Sequence, residues 1–425
     1  MALTALSNSI RVISAKSVLD SVSTSNYYLG IGRVKPWVPT ADSPSASDIS
    51  PPNAILTNDT INEVWDNAIG LKKITSNDMS MAIRRINWTS GVVYDMYSSS
   101  DTDLSTKDFY VMTSNYEIFK CYYNNEGSPS TAMPTIPVPN TVDGYIWRYM
   151  YTVPLGDRTK FLMTDFIPVK NTPATPINGE IVSLDVISGG SGYSTAPTVT
   201  ITGSGTGATA TAVINSGSVV KIIMNTRGVN YTNATISFIG SNITEAAAVA
   251  NIAPLNGHGS NILEELYATN VIISIQLSYD ESGTLLTNND IRQAFIVKDP
   301  YTQALTVANI AGSRLTTLAT LSGDTTNFTQ DQVVNIYSSS NIIGTAVIVY
   351  NDTLNKTLYL TNITSPIIVD SYAINDGVTT IPISAGGVSL PNIKPHTGQV
   401  VYILNRTPVN RNPAQIETFR IPLRW

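Results

Sequence analysis

A mainly β chain with a few N-terminal helices is the expectation from three observations. From residue 91 onward, apolar residues recur at every second position rather than every third or fourth, which is the spacing of strands. Charged residues make up only 13% of the 425 residues, against about 25% in an ordinary soluble protein, so Ser, Thr and Asn must supply most of the polar surface. A unit in the middle of the chain repeats itself 38 residues later (Tyr193 to Tyr231), and such self-similarity marks a repeat architecture. Length alone suggests roughly two to four domains at about 100–200 residues each. The expected organisation is a multi-domain β-sandwich core interrupted by two inserted β domains.

The first 90 residues hold most of the helix. Residues 10–22 carry a rough helical spacing, at Ile10, Ile13, Ser17 and Leu19–Asp20. A second helix is predicted from Thr60, where Thr60 and Glu63 have the spacing of a capping box. Ile61, Val64, Trp65, Ala68 and Ile69 then fall on one helical face, and Gly70 supplies the stop. Between the helices, Pro36, Pro39, Pro44, Pro51 and Pro52 enforce an extended path. GVVYDMY (91–97), DFYVMT (108–113), YEIFKCYY (116–123) and YIWRYMYTV (145–153) read as strands rich in aromatic and β-branched residues. Residues 124–144 contain four prolines, and a loop of that length is more often functional than idle.

Composition changes near residue 173. In the duplicated unit, Gly190-Ser191-Gly192-Tyr193 is echoed around Gly228 and Tyr231, and ATATA (208–212) is matched by AAAVA (246–250). Each copy is expected to bury its face on its neighbour. Segment 257–305 has another style, and 306–392 is again turn-punctuated, with AVIVY, KTLYL and TIPIS as strands. The final stretch returns to the aromatic and Arg-rich style of the first 170 residues. The predicted parts are therefore 1–172, 173–256, 257–305, 306–392 and 393–425, with the second and fourth inserted.

Net charge is −6, and the 25 Lys and Arg are scattered, which argues against a nucleic-acid-binding protein. The lone Cys121 excludes an intrachain disulfide and reads as core. No apolar run reaches the roughly 18 residues of a membrane-spanning helix, and the start lacks the order of a signal peptide. The chain therefore reads as soluble and made in the cytoplasm.

Chemistry-bearing residues are sparse. His258, between Gly257 and Gly259, has no second His or Cys at ligand spacing and reads as a turn residue; His396 follows Pro395 in a linker-like stretch. Gly203–Gly207 lacks the Lys-Ser/Thr and the helix of a phosphate loop. Asp101, Asp103 and Asp108 lack the Gly and terminal Glu of a calcium loop. Glu264 and Glu265 are adjacent, so on a helix they point different ways. The chain is expected to have no catalytic, cofactor or metal residues. What it concentrates instead is Trp, Tyr and Arg, the types that anchor interfaces. Trp37, Arg84, Arg85, Trp88, Trp147, Arg406 and Trp425 are the candidate interface or structural anchors.

These anchors lie in blocks: YYLGIGRVKPW, RRINW followed by VVYDMY, YEIFKCYYN, DGYIWRYMYTVP, IRQAFIVKDP and VVYILNRTPVNRNPAQIETFRIPLRW. In this order they resemble the baseplate wedge subunit of T-even-type contractile-tailed phages, the gene-product-eight family. Cyanobacterial myophage versions also have a counterpart of GHGSNILEEL. The resemblance covers residues 1–172, 257–305 and 393–425; the duplicated module and segment 306–392 depart from it. It implies a structural virion protein of β-sandwich domains, often a homodimer, that packs among other wedge proteins in the tail baseplate and helps transmit the rearrangement triggering sheath contraction. Assembly in the host cytoplasm, no catalytic site and no membrane insertion would follow. The rival expectation is a glycan-binding tail or adhesin protein, with Tyr193 and Tyr231 stacking on sugars beside Gly-rich loops.

Overall fold

The computed structural model describes residues 8–98, 103–136, 141–170, 177–253, 256–281, 283–365 and 368–424. Strands hold 46% of it and helices 10%, so the chain is mainly β. Two compact units emerge: one comprises residues 1–19, 79–273 and 421–425, the other 20–78 and 274–420. The stretch 1–172, read from sequence as one part, is thus divided between them. Among the described residues no helix is long and apolar enough to cross a membrane.

The second unit is organised by a five-stranded sheet in the order Gly312–Arg314, Ala68–Ile74, Tyr27–Gly32, Asn289–Lys298, Gln399–Arg411. Strands far apart in sequence are neighbours here, with Leu29 opposite Ile296 and Ala294 opposite Leu404. Helix Asn58–Asp66 lays Val64 and Trp65 against Tyr28, Leu71, Phe295, Val400 and Ile403. Full burial of each such side chain contributes about 1.5–3 kcal/mol.

The helix departs from the sequence expectation at both ends. Its N-cap is Thr57, whose hydroxyl accepts from the Thr60 amide while the Thr60 side chain reaches back. Glu63 is occupied by an ion pair with Arg33 at 2.5 Å. At the other end Asn67 caps the helix, and Ala68 and Ile69 belong to the strand that follows. Pairing with Tyr27–Gly32 captures those residues into the sheet, overriding a periodicity that fits either structure. Gly70 is therefore a strand residue, required because a Cβ there would lie 2.3 Å from the Leu285 side chain.

In the same unit, residues 317–389 of segment 306–392 form a closed six-stranded barrel. Its order is Thr317–Leu321, Thr357–Thr361, Asn341–Asp352, Val333–Ser338, Tyr372–Asn375, Thr380–Ser389. Alternate residues point inward: Ala319, Leu321, Val334, Ile336, Ala346, Ile348, Leu358, Leu360, Ile381 and Ile383 fill the interior.

In the first unit, Met79–Arg84 lies between Phe166–Val169 and the start of strand Asn270–Ser278. A three-stranded sheet, Tyr110–Met112, Glu117–Tyr123 and Ile146–Thr152, carries Cys121 fully buried. Residues 91–97 are not a strand. They make one isolated bridge, Val92 to Ser130, and the burial of Tyr94 and Tyr97, three residues apart, does not follow the alternation of a strand. In the long loop, Asp143 accepts from the amides of Thr131, Ala132 and Tyr145 and from the Ser130 hydroxyl. Burial alone would raise this carboxyl, but those bonds and the one from Thr141 bring it down to about 2.

The duplicated module does not stack copy beside copy. Ile181–Ser188, Thr198–Gly203 and Thr206–Asn215 of the first copy correspond to Ser218–Val229, Ala234–Ile239 and Ala247–Ile252 of the second. Thr206–Asn215 pairs with Ser218–Val229, and symmetrically Ala247–Ile252 pairs with Ile181–Ser188. The two middle strands pair with each other, Thr200 opposite Ser237. Each copy thus completes the other, and neither has a core of its own. The tyrosines follow the same symmetry: the Ala246 amide donates to the Tyr193 hydroxyl at 2.8 Å, and the Ala208 amide to the Tyr231 hydroxyl at 3.4 Å.

Candidate interaction surface

The predicted anchors separate into internal and external groups. Trp37 is buried under the Arg33 guanidinium, 3.8 Å above its ring, and its indole N–H donates to the Arg406 carbonyl. Trp147 is buried, stacked on Tyr145 and edge-on to Tyr94. These two are core. Trp88 is half-buried, donating to the Ser130 hydroxyl at 3.1 Å, and Arg406 is half-buried with its guanidinium 5.5 Å from the Phe419 ring. Trp425 lies outside the described residues.

Arg84 and Arg85 are brought together differently. Arg84 ends strand Met79–Arg84 and is exposed; Arg85 follows it, and its amide donates to the Asp165 carbonyl. Both line an open pocket of about 470 Å³. Lys107 and Arg424 join them, and Tyr110, Phe166, Leu266 and Tyr267 supply apolar walls. Arg85 is oriented by bonds to Asn87 Oδ1 and the Met163 carbonyl, both 3.0 Å. Arg84 holds Asp108 at 2.5 Å, with both side chains more than 40% exposed. Such an exposed pair is worth about 1 kcal/mol at most and is readily exchanged for another carboxylate. The Arg424 guanidinium stands 5.1 Å from the Phe166 ring. Four cations of which two are the predicted pair, beside rings and an open mouth, can take a carboxylate or phosphate by bidentate bonds and stacking. Sequence reading missed Lys107 and Tyr267 because neither lies in an aromatic block; Arg424 sat in one but had no visible companion.

A second cluster in this unit is wholly internal. Lys120, on strand Glu117–Tyr123, is fully buried and meets Glu265 of helix Ile262–Glu265 at 2.5 Å and His258 Nδ1 at 2.6 Å. His258 Nδ1 is also 3.3 Å from Glu265 Oε2, while the Gly259 amide donates to Glu265 Oε1 at 2.7 Å. Tyr97 and Tyr122 pack their rings on His258, and the Lys120 ammonium sits 4.0 Å from the Tyr97 centroid. Burial lowers Lys120 to about 8, against the pull of Glu265. Burial, then the Lys120 charge, lowers His258 to about 4. Burial would raise Glu265, but its bonds and charges with His258 and Lys120 override this and hold it at about 2. The expectation of a turn histidine is corrected here: His258 is a core residue in an ion cluster. Glu264 and Glu265 do diverge, one exposed and one buried.

Tyr193 and Tyr231 are 3% and 4% exposed, inside the core of the duplicated module. Neither ring is available to stack on a sugar. His396 contacts Asp66 at 3.0 Å. Among the described residues no group of three or more His, Cys, Asp or Glu is arranged to hold a metal ion. No family model matches the chain, and no curated protein matches it.

Proposed function

We propose that this chain is an assembly subunit, a component of the baseplate wedge of a contractile phage tail that connects neighbouring wedge proteins. The observation that carries the assembly reading is the pocket formed by Arg84, Arg85, Lys107 and Arg424 with its aromatic walls. Interface anchors of these types dominate binding energies, and four cations converging on one opening fit an acidic segment of a neighbouring protein. The placement in a baseplate wedge, as a homodimer and in the virion, is supported by the ordered sequence blocks described above. Obligate subunits of this kind bury about 2,000–5,000 Å² per interface.

Reconstitution with the other tail proteins tests the reading. An Arg84→Glu, Arg85→Glu double variant that keeps the wild-type circular dichroism spectrum is expected to bind its wedge neighbours more than tenfold more weakly, about 2 kcal/mol or more. A wild-type chain that remains monomeric and ignores every other tail protein would overturn the proposal. So would a double variant that assembles as well as the wild type.

A further inference from the structure

The buried cluster in the first unit has the parts of a self-modifying site. We propose that Lys120 and Glu265 condense to an amide, a covalent crosslink that ties strand Glu117–Tyr123 to helix Ile262–Glu265. Four features of the geometry carry this. The nucleophile and the carboxyl are in contact at 2.5 Å. An imidazole nitrogen reaches both, at 2.6 Å from Lys120 Nζ and 3.3 Å from Glu265 Oε2. A backbone N–H, that of Gly259, already holds the other carboxyl oxygen. Lys120 and His258 are fully buried and Glu265 is 3% exposed, so bulk water is excluded.

The step balances without any co-reactant. Proton transfer from Lys120 Nζ to Oε2 converts the ion pair to amine and carboxylic acid; burial assists this step, but it runs against the bonds and charges that keep the resting pair ionised. The Nζ lone pair forms the N–C bond at Cδ, and the carbonyl electron pair moves onto Oε1. There the Gly259 N–H meets the developing negative charge, as an oxyanion donor does. His258 Nδ1 takes the remaining surplus proton from Nζ and passes it to the Oε2 hydroxyl. The C–O bond to that oxygen then breaks, water leaves, and the Oε1 electron pair restores the carbonyl. One N–C bond is formed, one C–O bond is broken, and His258 ends neutral as it began. Holding the reactants in contact removes the entropy cost of a bimolecular encounter, and a dry site opposes the reverse hydrolysis.

Mass spectrometry of the intact, denatured full-length chain reads the outcome. The wild type is expected to be one water lighter than its sequence, with no tryptic cleavage after Lys120 and a branched peptide containing Lys120 and Glu265. Glu265→Gln would yield the same linkage, lighter by one ammonia. His258→Ala, if it retains the wild-type circular dichroism, should keep its full sequence mass. A wild-type chain of full sequence mass that trypsin cleaves after Lys120 would overturn the proposal. Crosslinking in His258→Ala equal to the wild type would overturn the proton-shuttle role.

Discussion

Tyr193 and Tyr231 occupy equivalent places in the two copies of the module, yet the structure predicts that removing their hydroxyls has unequal effects. In Tyr193→Phe the Ala246 amide loses an acceptor 2.8 Å away, and Ala246 is only 6% exposed, so water cannot replace it. A buried donor left unsatisfied costs about 1–3 kcal/mol. In Tyr231→Phe the lost bond is 3.4 Å long and the Ala208 amide belongs to a half-buried residue, so the penalty is under about 1 kcal/mol. Amide hydrogen exchange of the full-length chain separates the two. Each 1.4 kcal/mol speeds exchange from the opened state about tenfold. Peptides over Ala247–Ile252 in Tyr193→Phe should exchange roughly tenfold faster or more, whereas Thr206–Asn215 in Tyr231→Phe changes little. Equal effects, or no effect at Ala246, would refute the account of the module as two copies that complete each other through these hydroxyls. Tyr193→Ala extends the test: it empties a core position, at about 3–5 kcal/mol, and a fully stable variant would be equally damaging to the argument.

Two further outcomes follow from buried charge. While Lys120 and Glu265 remain an uncondensed ion pair, His258 is held at about 4, below its ordinary 6.5, first by burial and then by Lys120. Between those values the unfolded chain binds the proton and the folded chain does not, so stability is full above pH 6.5 and falls as pH drops toward 4. The loss approaches about 3 kcal/mol. Urea titrations across that window should show a slope that is reduced in His258→Gln; stability constant or rising as pH falls would contradict it. Arg411 is fully buried in the second unit, bonded to Glu417 at 3.1 Å and to the carbonyls of Leu286 and Tyr279. Glu417→Ala strands that cation and should cost about 3–5 kcal/mol of the unit's stability, read by chemical denaturation, where a change under about 1 kcal/mol would show that the pair is not desolvated.

Much of this chain is legible from local chemistry. Alternating β-branched and aromatic residues imply strands wherever they occur, because side chains on a pleated backbone face opposite sides in turn. The 38-residue echo between Tyr193 and Tyr231 exposes the duplication, and the glycines beside it share the left-handed backbone in both copies, at Gly190 and Gly228. Sequence also concentrated attention on Arg84 and Arg85. It could not say that the two module copies interlock, because pairing partners are selected by burial between segments and not by the segments themselves. It ended the second helix late, since Ala68 and Ile69 satisfy helical and strand periods alike until a neighbouring strand claims them. Trp37 and Trp147 looked like Arg84 as anchors, yet the indoles sank into cores and the guanidinium stayed out: strand Ile146–Thr152 turns Trp147 inward, while Trp37, outside any strand, is held under Arg33 and by its bond to the Arg406 carbonyl. Least visible was the Lys120, His258 and Glu265 cluster, whose members stand up to 145 residues apart. A buried charge declares itself only when folding withdraws the water around it and supplies partners, and both of those are properties of contact in space.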